Sequence, residues 1–340
     1  MSRLFDWNWK LSDIKQDKPI TVFSTFSCGG GSSMGYKRAG FQVLGNVEID
    51  PKINSMYVKN NHPKYNFCMD LRDFNKKEDL PDELYHLDIL DGSPPCTVFS
   101  TAGQREKTWG KEKKFREGQK KQRLDDLFFV WLDTVAKLKP KIAIAENVTG
   151  LLKGNAKGYV NEIIHGFHDI GYSVQIFKLN AAFMDVPQAR ERVFFIANNQ
   201  GYPKLKLDFH NEPIPFGKVR TAHGRPFKDK NSLYRRILEH AKVGDRDISK
   251  TRQRIHFGGL GGFNHKIICD EFCANCLTAN GLFFRLYDKC YLSEGDYRNV
   301  SSFPQDYDFA ENDAQFVCGM SVPLNMMANI AAQIWEQWLQ

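Results

Sequence analysis

Ile20-Thr21-Val22-Phe23-Ser24-Thr25-Phe26-Ser27-Cys28-Gly29-Gly30-Gly31-Ser32-Ser33-Met34-Gly35 is the stretch that sets the fold class. The β-branched, apolar run Ile20 to Phe23 reads as a buried strand. Glycines at 29, 30 and 31 interrupt it, and a helical pattern runs from about Ser32 to Ala39. The same alternation continues outward. Val43 to Ile49 reads as a strand and Pro51 to Lys59 as a helix; Asn66 to Met69 and Leu87 to Leu90 are short strands. Leu124 to Leu138 carries apolar residues at 127, 128, 131, 132, 135 and 138, the spacing of a helix face. Ile142 to Ala145, a helix near Val160 to Phe167, Val174 to Leu179 and Val193 to Ala197 complete the series. Short apolar strands separated by helices predict an α/β fold, a doubly wound and mostly parallel sheet covered on both faces.

After Asn198 the alternation stops. Residues 198–286 are rich in glycine and lysine with weak periodicity, which predicts a second, smaller domain. The chain then divides into an N-terminal tail (1–18), a main domain (19–197), the small domain (198–286) and a segment (287–340) that returns to the main domain. Pro323 to Leu339 within it reads as an amphipathic helix. In 340 residues, 42% hydrophobic content is enough for a sizeable core. The formal charge of +7 is compatible with a polyanionic partner without demonstrating one. Eight cysteines in so long a chain do not form the pattern of a secreted disulfide framework, and Met1 to Lys10 has no apolar signal-peptide core. No run reaches the apolar length of a membrane helix, so the expectation is an intracellular protein with reduced thiols.

Three local patterns carry chemistry. The glycine-rich turn allows close backbone approach, and the helix behind it offers free N–H groups. Glu48, at the tip of the second strand, can accept hydrogen bonds from both ribose hydroxyls of a nucleoside-containing cofactor, and Asp70, past the third, can read an adenine amino group. This combination suits S-adenosylmethionine as well as a dinucleotide. The second pattern is Asp91-Gly92-Ser93-Pro94-Pro95-Cys96-Thr97-Val98-Phe99-Ser100. Two prolines stop the strand and hold Cys96 stiffly at its carboxyl end, a placement that suits a nucleophile. The third is Ala145-Glu146-Asn147-Val148, where another apolar run ends in a carboxyl group.

Phe26 to Gly35, Pro94-Pro95-Cys96, Glu146-Asn147-Val148 and Gln188-Ala189-Arg190-Glu191-Arg192 occur in order and at family-like spacing. They resemble the ordered motifs of the C5-cytosine DNA methyltransferases. The resemblance continues through Leu292-Ser293-Glu294, Arg298, Phe303-Pro304 and Gly319-Met320-Ser321-Val322-Pro323. It implies a Rossmann-like methyltransferase fold, S-adenosylmethionine as cofactor, no metal, and double-stranded DNA as substrate. Cys96 takes the role of nucleophile, Glu146 the acid at the base's ring nitrogen 3, and Arg192 the holder of its carbonyl; Arg190 supports the active-site loop or contacts phosphate. Phe26, Ser27, Gly29, Gly30, Glu48, Ile49, Asp70, Pro95, Leu127 and Ser321 match cofactor positions. Ser100, Arg105, Arg252 and Arg254 are the expected DNA contacts, and residues 198–286 become the target-recognition domain.

Three positions depart from the family pattern: Cys28 stands where a glycine is usual, Thr97 where glutamine is frequent, and Met320 where asparagine is usual. The last removes polar contacts near the cofactor's amino-acid end. Between Arg105 and Arg123 lie nine basic and three acidic side chains, which suit a lid closing on the phosphate backbone. Cys269, Cys273, Cys276 and Cys290 have only one clean ligand spacing, Cys273-x-x-Cys276, and are read as free thiols. The resemblance further implies a cytoplasmic, DNA-associated enzyme of bacterial or phage origin, monomeric on DNA, with a cognate restriction endonuclease as one candidate partner. Two alternatives share the motifs: the same chemistry on transfer RNA, and a catalytically silent DNA-binding relative.

Overall fold

The computed structural model describes residues 4–95, 126–153, 156–229, 232–256 and 265–340. The chain forms two compact units: residues 14–179, 191–208 and 327–340 make one, and residues 1–13, 180–190 and 209–326 the other.

The first unit is built on β1 (Thr21–Thr25), α1 (Gly31–Arg38), β2 (Gln42–Val47), α2 (Pro51–Asn61), β3 (Tyr65–Phe67), α3 (Leu71–Lys76), β4 (Ile89–Gly92), α4 (Leu127–Leu138), β5 (Ile142–Val148), α5 (Ala156–Asp169) and β6 (Ser173–Asn180). A two-residue strand of the other unit, β7 (Gln188–Ala189), precedes β8 (Glu191–Asn198). Among the described residues seven strands form one sheet in the order β3-β2-β1-β4-β5-β8-β6. β1 pairs in parallel with both β2 and β4, and β4 pairs in parallel with β5. The strand order therefore reverses between β1 and β4, and the crevice outside their carboxyl ends is where such sheets bind ligands. β8 lies antiparallel to β5, with Val148 opposite Arg192 and Glu146 opposite Phe194. Strand direction leaves no trace in apolar periodicity, so the sequence could not specify this reversal.

Local chemistry fixes the element ends. Asp50 caps α2, its side chain accepting from the N–H groups of Lys52 and Ile53, and Pro51 occupies the first helical position. α4 stops at Lys139, which adopts a left-handed φ of 49°, and Pro140 follows. Behind the sheet, Phe128, Trp131 and Val135 of α4 and Ile163 and Phe167 of α5 form a core with Phe23, Leu90, Ala143 and Phe195. Phe128 meets Phe195 edge to face at 5.2 Å. Each such ring buried stabilises the fold by about 2–3 kcal/mol.

In the second unit α6 (Leu233–Glu239) and α7 (Ile248–Arg254) supply Ile237, Leu238 and Ile248 to a small core that includes Phe284. β9 (His265–Ile268) and β10 (Ala274–Asn275) follow; β11 (Leu282–Arg285) pairs in parallel with β9 and antiparallel with β12 (Cys290–Tyr291), while β10 pairs with β7. α8 (Glu294–Val300), α9 (Ala314–Met320) and the start of α10 (Leu324–Ile334) complete it. These units do not follow the boundaries drawn from sequence. Of the segment 287–340, only 327–340 belongs with the sheet; Tyr291 packs on Phe227, and Asp296 accepts from the Thr221 N–H. The described residues of 1–13 are likewise part of the second unit. Trp9 is 4% exposed and its indole N–H donates to the Ser302 carbonyl at 2.9 Å.

Candidate active site

The parallel strands β3, β2, β1, β4 and β5 end at one edge of the sheet, and most of the expected cofactor residues lie there. After β1 the backbone turns sharply: Phe26 and Cys28 both take left-handed φ values, 50° and 46°. A glycine at position 28 would adopt that geometry freely, whereas Cys28 holds it at a cost in backbone strain. Gly30 caps α1 with φ 79°, and a Cβ there would stand 2.4 Å from Asn61 Nδ2. Among the described residues no side chain caps the α1 N-terminus. Glu48, past the end of β2, accepts from the Cys28 N–H at 2.9 Å and from the Asp50 N–H at 3.0 Å. Burial raises its pKa, and these backbone donors oppose the rise. Each carboxylate oxygen keeps acceptor capacity for a ribose hydroxyl. The residues present fit an adenosyl group: a cradle closed to side chains, uncapped helix N–H groups and an oriented acid.

Other expected cofactor residues do structural work in addition. Ser27 accepts from Asn46 Nδ2 at 3.1 Å. Asp70 caps α3 and pairs with Arg72, so its carboxylate is already engaged. Leu127, the first residue of α4, is buried. Ile49 and Pro95 are half-buried at the ends of β2 and β4.

One strand along from β4, the ends of β5 and β8 bring Glu146 and Arg192 together. The two sit diagonally across the antiparallel pair, and Arg192 Nε approaches Glu146 Oε1 to 2.7 Å. Both side chains are about nine-tenths buried, at 10% and 12% exposure, so the pair is poorly screened. The same guanidinium donates to the Glu191 carbonyl at 2.7 Å. Asn147 faces the other way and donates from Nδ2 to the Pro94 carbonyl at 3.2 Å. Asn147 thus ties the acid's strand to the turn that leads into Cys96, a role that went unassigned in the sequence. Cys96, Ser100, Arg105 and the basic stretch 105–123 lie outside the described residues.

Arg190, Ser321, Arg252 and Arg254 belong to the second unit. The Arg190 guanidinium is 1% exposed and donates to the carbonyls of Leu277 (2.8 Å), Gly319 (2.9 Å) and Ser321 (3.1 Å). It joins two segments of its unit, the one at Leu277 and the one at Gly319 to Ser321. Arg254 is engaged too: it grips Asp245 at 2.6 Å and holds that carboxyl at about 2. Arg252 is buried, and its Nε has no hydrogen-bond partner among the described residues. Met320 is 36% exposed. Among the described residues no group of three or more His, Cys, Asp or Glu side chains could hold a metal ion. Burial raises the Cys269 and Cys290 thiols and pushes Cys273 to about 12.

A reversed parallel sheet with a nucleoside-suited turn at its switch point, and a buried acid–arginine pair beside it, defines a Rossmann-like methyltransferase. The chain belongs to the C-5 cytosine-specific DNA methylase family, whose model matches residues 20–258. It is a DNA cytosine-5-methyltransferase that uses S-adenosylmethionine. It is 33% identical to the Type II methyltransferase M.NgoPII of Neisseria gonorrhoeae over 93% of this chain and 95% of that protein. It is 28% identical to the Type II methyltransferase M.Sau96I of Staphylococcus aureus, covering 95% of this chain and 77% of the relative. A prophage-encoded chain of E. coli shares the fold with a TM-score of 0.66 at 18% identity, covering 94% of this chain and all of the other. Among the described residues no helix is long and apolar enough to cross a membrane.

Proposed function

We propose that the chain methylates carbon 5 of a cytosine flipped out of a specific duplex DNA sequence, through a covalent adduct between Cys96 and carbon 6. Carbon 5 is a poor nucleophile, and addition of a thiolate at carbon 6 gives it enamine character. Cys96 Sγ forms that bond. Glu146 bonds or protonates ring nitrogen 3, taking up the charge that develops there, and Arg192 holds both the base carbonyl and Glu146. When bound, S-adenosylmethionine would supply the electrophilic methyl group: the carbon 5–methyl bond forms as the methyl–sulfonium bond breaks, and S-adenosylhomocysteine leaves. Loss of the carbon 5 proton and of the Cys96–carbon 6 bond then restores the aromatic ring and the thiolate. The base must leave the stack to be reached.

The observation that carries this reading is the buried Glu146–Arg192 pair, whose acid sits on a strand fastened by Asn147 to the turn before Cys96. The turn after β1, with Glu48, is assigned the adenosine end of the methyl donor. Target recognition is assigned to the unit containing residues 209–326, with Arg252 a better candidate than Arg254, whose charge is committed to Asp245. A nuclease of the same sequence specificity is the partner implied for a modification enzyme.

Incubation with S-adenosylmethionine and duplex DNA containing 5-fluorocytosine tests the mechanism, because fluorine blocks the final elimination. A stable protein–DNA adduct is expected from the native chain and none from Cys96→Ala. No adduct from the native chain would overturn the covalent route. Label transfer to transfer RNA but not to duplex DNA would overturn the substrate assignment.

A further inference from the structure

Among the buried acids that the mechanism above does not use, one stands on the strand that leads to Cys96. Asp91, the third residue of β4, is 1% exposed. Ser24 Oγ donates to its Oδ2 at 2.9 Å and Tyr36 Oη to its Oδ1 at 3.2 Å; the Ser32 hydroxyl bonds to it as well. Its main-chain carbonyl accepts from Thr25 Oγ1 at 2.9 Å. Among the groups acting on Asp91 the charged one is Glu146 on β5, another acid; the rest are hydroxyls on β1 and α1. Burial raises the Tyr57 phenol on α2, the Ser33 hydrogen bond opposes the rise, and the charge of Asp91 adds to it.

The partners are not scattered. Ser24 and Thr25 precede the glycine-rich turn, whereas Ser32 and Tyr36 follow it on α1. Asp91 itself stands beside Ser24 at the point where strand order reverses, five residues before Cys96. One carboxyl group therefore grips both ends of the cofactor turn and belongs to the strand that leads to the nucleophile. An apolar residue at this site would cost far less desolvation, and buried polar groups without a compensating cation are expensive.

We propose that Asp91 is a positioning residue for methyl transfer: it clamps the two ends of the glycine-rich turn to β4 and so sets the methyl donor against the segment bearing Cys96. This rests on the assignment of that turn to S-adenosylmethionine and of Cys96 as nucleophile. The clamp is complete when the carboxylate is ionised and both oxygens accept; a protonated acid, or an amide, loses an acceptor to its own hydrogens. Desolvation raises the Asp91 pKa to about 7, with the Glu146 charge adding to the rise and the hydroxyl donors opposing it. The clamp tightens as pH rises through that range.

Asp91→Asn preserves shape and removes the charge. Steady-state methylation between pH 5.5 and 8.5, with S-adenosylmethionine and DNA varied separately, reads its effect. The expected result is a KM for S-adenosylmethionine raised by about 10- to 100-fold with DNA affinity retained, the scale of a lost charge-assisted hydrogen bond. The native rise in kcat/KM near pH 7 should lose the component due to Asp91; the Cys96 thiol contributes equally to both enzymes. Tyr36→Phe, which removes one donor and keeps the ring, should reproduce part of the change and add little on top of Asp91→Asn. A variant with native KM and native pH profile but lowered melting temperature would overturn the proposal, as would equal loss of donor and DNA binding. An inactive native chain would instead implicate the catalytic assignment on which it rests.

Discussion

Two acids on neighbouring strands are treated in opposite ways. Glu146 is matched by the Arg192 guanidinium at 2.7 Å, whereas among the described residues the side chain of Asp91 has hydroxyl donors alone. The consequence for stability can be worked out with its sign. An aspartate in the unfolded chain titrates near 3.9, and Asp91 in the fold at about 7. Between those values the folded state holds a proton that the unfolded state has lost, so unfolding becomes easier as pH rises. The contribution is fully present below pH ~4, falls by about 1.4 kcal/mol per pH unit, and is exhausted above pH ~7. Urea unfolding of the native chain and Asp91→Asn across this window should differ by a few kcal/mol in slope-integrated stability, the variant being flatter; parallel curves would refute the assignment. Ionisation thus weakens the fold in the range where it completes the clamp. Asp91 could not be picked out from sequence, since a lone acid in an apolar strand shows its partners only after folding. Glu146 and Arg192 were legible because their motifs also name their neighbours.

At the scale of elements, the β1–α1 turn shows what sequence pattern carries and what it omits. The glycine cluster predicted a close approach, and the structure supplies the reason for one glycine in particular. Gly30 needs a left-handed φ of 79° and has Asn61 Nδ2 where a Cβ would go. Gly30→Ala is therefore expected to cost about 1–3 kcal/mol from backbone strain, plus whatever displacement of Asn61 adds. It should also weaken S-adenosylmethionine binding, readable by calorimetry. Gly171, which has nothing within 4 Å of an added Cβ, is the control: alanine there meets the same strain from φ 85° without the clash and should leave donor binding unchanged. The β-α alternation up to Asn198 was readable because its strands and helices are long enough to repeat a period. Between Asn198 and Ser321 the described α-helices span seven residues and the strands two to four, too short for periodicity to emerge, whereas the eleven residues of α10 are long enough to show it.

The molecule as a whole is partitioned in space but not in sequence. The unit that includes residues 209–326 also takes 180–190 and the described part of 1–13. No composition shift marks those borrowed pieces, and a tail holding one buried tryptophan has no period by which to announce itself. Yet Trp9 is 4% exposed, its indole donates to Ser302, and its carbonyl accepts from the Gln305 N–H at 2.8 Å. Asn325 reaches the same segment, donating to the Asp6 carbonyl at 3.1 Å and to the Asp185 carbonyl at 2.8 Å. The N-terminal residues are therefore an internal part of that unit. Trp9→Ala removes a large buried ring and strands a carbonyl, a loss of about 3–5 kcal/mol. Amide hydrogen exchange can localise it: protection should fall at residues 299–309 and 325–326, while the strands Thr21–Thr25 and Ile142–Val148 serve as internal reference. If residues 299–309 exchange as slowly in Trp9→Ala as in the native chain, the N-terminal segment is an accessory rather than a constituent of that unit. The same logic governs any transfer of target recognition to another chain. Moving 209–326 alone would leave the seats of Trp9 and Arg190 empty, whereas moving all three segments together keeps each buried group with its partners.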